Sequence, residues 1–254
     1  MIISRVIPCL LLRNNGLVKT VKFNDSTYIG DPINAIKIFN EKEVDELIFL
    51  DINASKEKKE PQYKLLKNIA SECFMPLCYG GGISNLDQIT EIIKCGVEKV
   101  AINTHAVKDP LFIKKAAQIY GSSTIIVAID VKKNILGKYC VYINGGSENT
   151  LKDPLEYAKF IEQMGAGEIF LNSIDKDGTM TGYDIELIKR ISYSVKIPVI
   201  ACGGAGKIEH MRDAIQLGGA AAVSAGSFFV FHGKRRAVLI SYPNISEIEF
   251  IFSK

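Results

Sequence analysis

Short runs rich in β-branched and other apolar residues recur along the chain, at residues 5–11, 46–51, 76–79, 99–103, 124–130, 168–172, 198–201 and 221–225. Between them lie stretches with apolar residues at helical spacing, for example 31–40 and 109–120. Alternation of strand and helix calls for parallel strands joined by crossover helices. Eight such units predict a closed (β/α)8 barrel, the TIM barrel, with an open doubly wound sheet as the alternative because periodicity does not distinguish closure from an edge. A chain of 254 residues fits one barrel, so a single domain over 1–254 is expected.

The pattern also repeats. Met75-Pro76-Leu77-Cys78-Tyr79-Gly80-Gly81-Gly82-Ile83 is echoed by Ile197-Pro198-Val199-Ile200-Ala201-Cys202-Gly203-Gly204-Ala205, and Glu46-Leu47-Ile48-Phe49-Leu50-Asp51 by Glu168-Ile169-Phe170-Leu171-Asn172. Each copy continues through a helical stretch and a small-residue turn to a strand ending at Asn103-Thr104 or at Ala225-Gly226. Two duplicated half-barrels, about 1–122 and 123–254, would leave this trace and would put equivalent sites on opposite sides of one axis.

Composition narrows the class. With 47% hydrophobic residues the chain can build a large core, and the net charge of +3 is too small and too scattered to suggest nucleic acid. No run of about 18 uncharged apolar residues occurs, so a soluble, unexported, cytoplasmic protein with no membrane partner is expected. The six cysteines lack CxxC pairing, and His105, His210 and His232 lack ligand spacing; neither a metal nor a cofactor is expected. The cluster Lys56-Glu57-Lys58-Lys59 reads as a solvated loop, or as a loop lying over an anionic ligand.

Glycines directly after a strand let the backbone approach a ligand closely, and amides near a helix start receive phosphate. Gly81 and Gly82 with Asn103 and Thr104 form one predicted phosphate site, and Gly203 and Gly204 with Ala225, Gly226 and Ser227 the other. A tight turn is the plainer reading of each glycine run; the duplicated pairing favours phosphate, and therefore a bis-phosphate ligand. Asp130 ends a strand at the barrel mouth, where a partly desolvated carboxylate serves acid–base chemistry or caps a loop. Asp177, followed by Gly178, has the same two readings, and Asp51 reads as structural or ligand-orienting.

Together, Arg5-Val6-Ile7-Pro8-Cys9-Leu10, Asp45 to Asp51, Gly80-Gly81-Gly82-Ile83, Val127-Ala128-Ile129-Asp130, Ser173 to Thr179 and Gly203-Gly204-Ala205-Gly206-Lys207 resemble the cyclase subunit of imidazole glycerol phosphate synthase, nearly to Phe229. The resemblance implies a lyase of histidine biosynthesis. Its barrel pairs with a glutamine-hydrolysing amidotransferase subunit as a heterodimer and receives ammonia along its axis. At the opposite face it converts a bis-phosphate ribonucleotide into imidazole glycerol phosphate and an aminoimidazole carboxamide ribotide. It implies an ammonia gate at Arg5, Glu46, Lys99 and Glu168, which an ordinary salt-bridge cluster would mimic. It also implies catalysis by Asp130 and ligand binding by Lys19, Asp51, Asp177, Gly178 and the two phosphate loops.

Three positions depart from the family. Its second catalytic aspartate, at the end of strand one, falls on Leu11, although Lys19 downstream is retained; a serine before the second glycine pair is Cys202; and the segment 231–243 replaces the usual final amphipathic helix with a less periodic stretch. Leucine cannot transfer a proton, and losing a positioned acid or base costs on the order of 10² to 10⁴ in rate. Leu11 and the tail resemble a paralogous branch associated with bacterial surface-sugar gene clusters. The expectations are therefore a cyclase weakened by Leu11, or a non-cyclising ammonia conduit and glutaminase activator serving amidation of a surface sugar. A sugar-phosphate isomerase on the same duplicated barrel is the third; it also needs the strand-one aspartate and leaves the gate charges unexplained.

Overall fold

The computed structural model describes residues 5–233 and 235–253; Lys234 of the divergent tail and both ends of the expected domain lie outside them. Eight strands form the barrel: β1 (Arg5–Arg13), β2 (Leu47–Asp51), β3 (Leu77–Gly80), β4 (Lys99–Ile102), β5 (Ile125–Lys133), β6 (Glu168–Ser173), β7 (Val199–Cys202) and β8 (Ala222–Ala225). Each pairs in parallel with the next, and β8 pairs with β1, so the sheet closes and the open-sheet alternative falls away. Pro76 and Pro198 stand just before β3 and β7 rather than within them. Proline has no N–H for the ladder, but their carbonyls accept from Leu47 and Ile169.

Eight helices pack outside: α1 (Pro32–Glu41), α2 (Tyr63–Glu72), α3 (Leu86–Lys94), α4 (Pro110–Tyr120), α5 (Pro154–Gln163), α6 (Ile185–Ser192), α7 (Ile208–Gln216) and α8 (Ile245–Phe252). Their starts are chemically marked. Asp31, Asp153 and Asp184 accept from first-turn amides, and Asn85 with Gln88 closes a capping box on α3. Period-two alternation along the strands divides the apolar side chains into two sets. Leu10, Leu12, Val127, Ile129 and Leu171 face the helices in the main core, while Ile7, Cys9, Ile126, Ala128 and Phe170 fill the barrel interior.

Two features were absent from the sequence reading. β1 and β5 run on to nine residues each and fold back into antiparallel hairpins, β1 with Gly16–Val21 and then Asn24–Gly30, β5 with Tyr139–Ile143. The first turn uses Asn14 at φ 56°, a left-handed conformation that asparagine tolerates. In the tail, the expectation that the final helix is replaced is corrected. The divergent segment contributes only the paired two-residue strands Phe231–His232 and Ala237–Val238, and α8 follows it, packed on α7 with Ile251 fully buried. A capping box between Asn244 and Glu247 starts that helix directly after Pro243. No helix among the described residues is long and apolar enough to cross a membrane.

Candidate active site

At the N-terminal ends of the strands, Arg5, Glu46, Lys99 and Glu168 meet in a ring of alternating sign. Arg5 bridges Glu46 and Glu168, the latter at 2.7 Å, and Lys99 bridges the same two carboxylates at 3.1 and 3.0 Å. Glu46 is almost wholly buried, so both its charge and its lone pairs are met inside the protein. Burial lowers the proton affinity of Arg5, but its hydrogen bonds and Coulombic contacts with the two glutamates outweigh this and raise its pKa. Above the ring, Ile7, Ile48, Cys78, Ile126, Phe170 and Ile200 form an apolar plug, and above the plug the barrel opens at its C-terminal face into one deep cavity.

All of the predicted ligand residues line that cavity: Lys19, Asp51, Gly81, Gly82, Asn103, Thr104, Asp130, Asp177, Gly178, Gly203, Gly204, Ala225, Gly226 and Ser227. The two glycine loops lie where the repeat placed them, one after β3 and one after β7. Both depend on glycine. A Cβ at Gly81 (φ +124°) would stand 2.5 Å from the Asp51 carbonyl oxygen, and one at Gly203 (φ +91°) 2.7 Å from Asn172 Oδ1. The turns after β4 and β8 share a backbone shape too. Asn103 has φ/ψ of −108°/−79° and Gly226 −112°/−69°, each immediately before a short helix beginning at Thr104 or Ser227.

The charged groups divide by what holds them. Asp51 Oδ1 accepts from Asn53 N–H and Ala54 N–H at 3.2 and 3.1 Å, and Oδ2 from Gln62 at 3.2 Å; this carboxylate shapes the loop after β2. Asp177 accepts from Thr20 Oγ1 at 2.8 Å and Phe23 N–H at 3.3 Å, which ties the loop after β6 to the first hairpin; burial still raises its pKa over those bonds and Lys19. Lys19 is buried with its ammonium on the Cys9 carbonyl, and burial lowers its pKa. Asp130 accepts no hydrogen bond from the described residues, and burial, with Asp177 second, pushes it up to about 7. That value suits a group that must both give and take a proton near neutrality.

Leu11 faces the same cavity, on the rung it shares with Leu50. The wall at the end of β1 is therefore apolar. Cys202 also lines the cavity, and contact with the Cys9 thiol, then burial, raises its pKa well above an ordinary thiol, so it is protonated and no nucleophile. Of the basic cluster after β2, Lys56 reaches the cavity wall beside Ser55, while Lys59 pairs with Glu57 at 2.5 Å. Sequence reasoning missed Asn172, Cys9, Thr20 and Phe23 as cavity residues. For Asn172 a signal existed: it shares β6 with inward-facing Phe170 two positions earlier.

A (β/α)8 barrel with twinned glycine loops, a raised carboxyl group between them and an ion-paired floor defines a class of barrel with a small-molecule-sized cavity at the C-terminal ends of its strands. The chain belongs to the histidine biosynthesis protein family, whose model matches residues 5–235. It is 53% identical over 249 residues, 98% of this chain and 99% of the other, to a Pseudomonas aeruginosa protein named "Putative imidazole glycerol phosphate synthase subunit hisF2". A Vibrio vulnificus protein, "Putative imidazole glycerol phosphate synthase subunit hisF3", is 49% identical over 249 residues, covering 97% and 95% of the two chains. The "Imidazole glycerol phosphate synthase subunit HisF" of Alkaliphilus metalliredigens is 44% identical over 232 residues, covering 91% and 92%.

Proposed function

We propose that this protein is the cyclase-type subunit of an imidazole glycerol phosphate synthase, a lyase subunit that takes ammonia from a glutaminase partner and uses it on a bis-phosphate ribonucleotide. The observation that carries this reading is the arrangement of one cavity: two glycine cradles on opposite walls, Asp130 between them, and the Arg5–Glu46–Lys99–Glu168 ring beneath. The names of the relatives support it, as does the placement of the cradles after β3 and β7, across the barrel from each other, which suits a ligand with a phosphate at each end. In this reading Gly81, Gly82, Asn103 and Thr104 hold one phosphate. Gly178, Gly203, Gly204, Ala225, Gly226 and Ser227 hold the other, Lys19 and Asp177 flank the second, and Asp130 moves the proton.

Leu11 favours a second reading, in which the barrel conducts ammonia and activates its glutaminase while cyclising little, the nitrogen serving amidation of a bacterial surface sugar. Leu11 cannot move a proton, so a two-carboxylate cycle lacks a member at the strand-one wall. Steady-state turnover of the bis-phosphate ribonucleotide with ammonium salt at high pH separates the two without any partner. Turnover of about 1 per second or more fits a working cyclase. Bound ligand with no turnover fits the conduit, and then Leu11→Asp is expected to raise turnover by on the order of 10² or more. Failure of the purified protein to bind the ribonucleotide at all overturns the cyclase reading.

A further inference from the structure

Asn172 has no part in the assignments above, yet it sits at the centre of the cavity. It is only 6% exposed, it lines the cavity wall, and its Oδ1 has no hydrogen-bond partner among the described residues. The register of β6 places it on one rung with Asp130 of β5 on one side and Cys202 of β7 on the other. Carboxyl, carboxamide and thiol thus stand side by side on the inner wall. Oδ1 lies under the start of the second glycine cradle, 2.7 Å from the place a Cβ of Gly203 would take.

A buried carboxamide without a partner is costly, and native proteins keep such groups where a partner arrives from elsewhere. Here it does not brace the loops: no hydrogen bond ties its side chain to the neighbouring turns, in contrast to Asp51 and Asp177. Its rung neighbours Asp130 and Cys202 give its Oδ1 no hydrogen bond, and Ala128 and Phe170 of the same barrel interior are apolar. The unpaired atom is an acceptor, which a phosphate oxygen without a proton cannot satisfy, and a carboxamide offers a donor and an acceptor together.

We propose that Asn172 determines ligand specificity: its carboxamide hydrogen-bonds a neutral donor–acceptor group, a carboxamide or hydroxyl, in the phosphate-free middle of the ligand, beside the atom that Asp130 serves. This rests on the two-phosphate reading of the cavity. It adds that the site rejects bis-phosphates with only carbon between their ends, since an apolar ligand would leave the amide buried and unpaired.

The test is calorimetric binding of two probes to the full chain: the aminoimidazole carboxamide bis-phosphate ribonucleotide and an alkanediol bis-phosphate of matching length. The wild type should prefer the ribonucleotide. Asn172→Leu, close in size, should lose on the order of tenfold in affinity for it, keep its affinity for the alkanediol bis-phosphate, and melt no lower than the wild type. Asn172→Ser, which keeps a hydroxyl and is smaller, should show the same selective loss and serves if the leucine variant does not fold. Equal losses on both probes, no loss on either, or a lowered melting temperature with unselective binding each overturn the role of Asn172. Wild-type protein that binds neither probe overturns the two-phosphate reading itself.

Discussion

Asp130 bears the electrostatic consequence of where β5 ends. Its side chain points into the cavity, accepts no hydrogen bond from the described residues, and is held at about 7 by burial and by Asp177. The folded state therefore keeps a proton that the unfolded chain gives up at an ordinary aspartate value. The stability this confers is complete below that ordinary value and is lost as pH rises through about 7. Asp130→Asn removes the titration without changing the shape. In urea unfolding it should match the wild type near about pH 4 and exceed it near about pH 8, by at most about 4 kcal/mol, the full shift converted at about 1.4 kcal/mol per unit. Turnover, if the wild type cyclises, should fall by on the order of 10² to 10⁴. Equal stability of the two proteins at both pH values would mean that the carboxyl group is solvated and ordinary.

The glycine loops set the geometry at the scale of elements, because β2 and β3 come so close that only a residue without a Cβ fits between the Asp51 carbonyl and the cavity. Gly81→Ala introduces a contact with backbone that cannot rotate away, at a φ alanine avoids. It should destabilise the fold by about 1 to 3 kcal/mol and weaken binding of a bis-phosphate ligand more than Gly219→Ala, whose nearest neighbour is the ring of Tyr193 outside the cavity. Equal binding by the two variants would separate Gly81 from the ligand. The same elements explain what was legible in the sequence. Strand runs located the eight strands, and the doubled Met75–Ile83 and Ile197–Ala205 motif the glycine loops, because strand ends in a barrel have one place to point; Lys19, on the first hairpin, came only from the family resemblance. The two hairpins were not legible, since Asn14-Asn15-Gly16 reads as a loop unless the ladder beyond β1 is known. Asn172 was legible only through the period-two spacing from Phe170, which places it on the inner face once the strand is known to continue to Ser173. The tail misled because irregular spacing at 231–243 drew attention from the short capped helix beyond it.

The ring of four charges joins the two faces of the molecule, since it closes the end of the barrel opposite the cavity. Its members come from β1, from the residue before β2, from β4 and from β6, so no single element holds it. Glu46 is the critical member because it meets both cations and is the most deeply buried. Glu46→Gln leaves two cations sharing Glu168, and breaking a buried pair in this way should cost about 3 to 5 kcal/mol in urea unfolding. Replacing Glu46 by Leu together with Lys99 by Met leaves Arg5 paired with Glu168 and should recover much of that loss. The functional effect is expected to be of another kind. Ammonium reaches the cavity through its open mouth, so ammonium-driven turnover should be largely unchanged in both variants. On the proposed reading, nitrogen from a glutaminase docked beneath would pass the ring, so glutamine-driven turnover should change in both, including the variant whose stability is restored. If the two turnovers instead fall in parallel and recover together with stability, the ring is a structural ion-pair cluster and the passage of ammonia lies elsewhere.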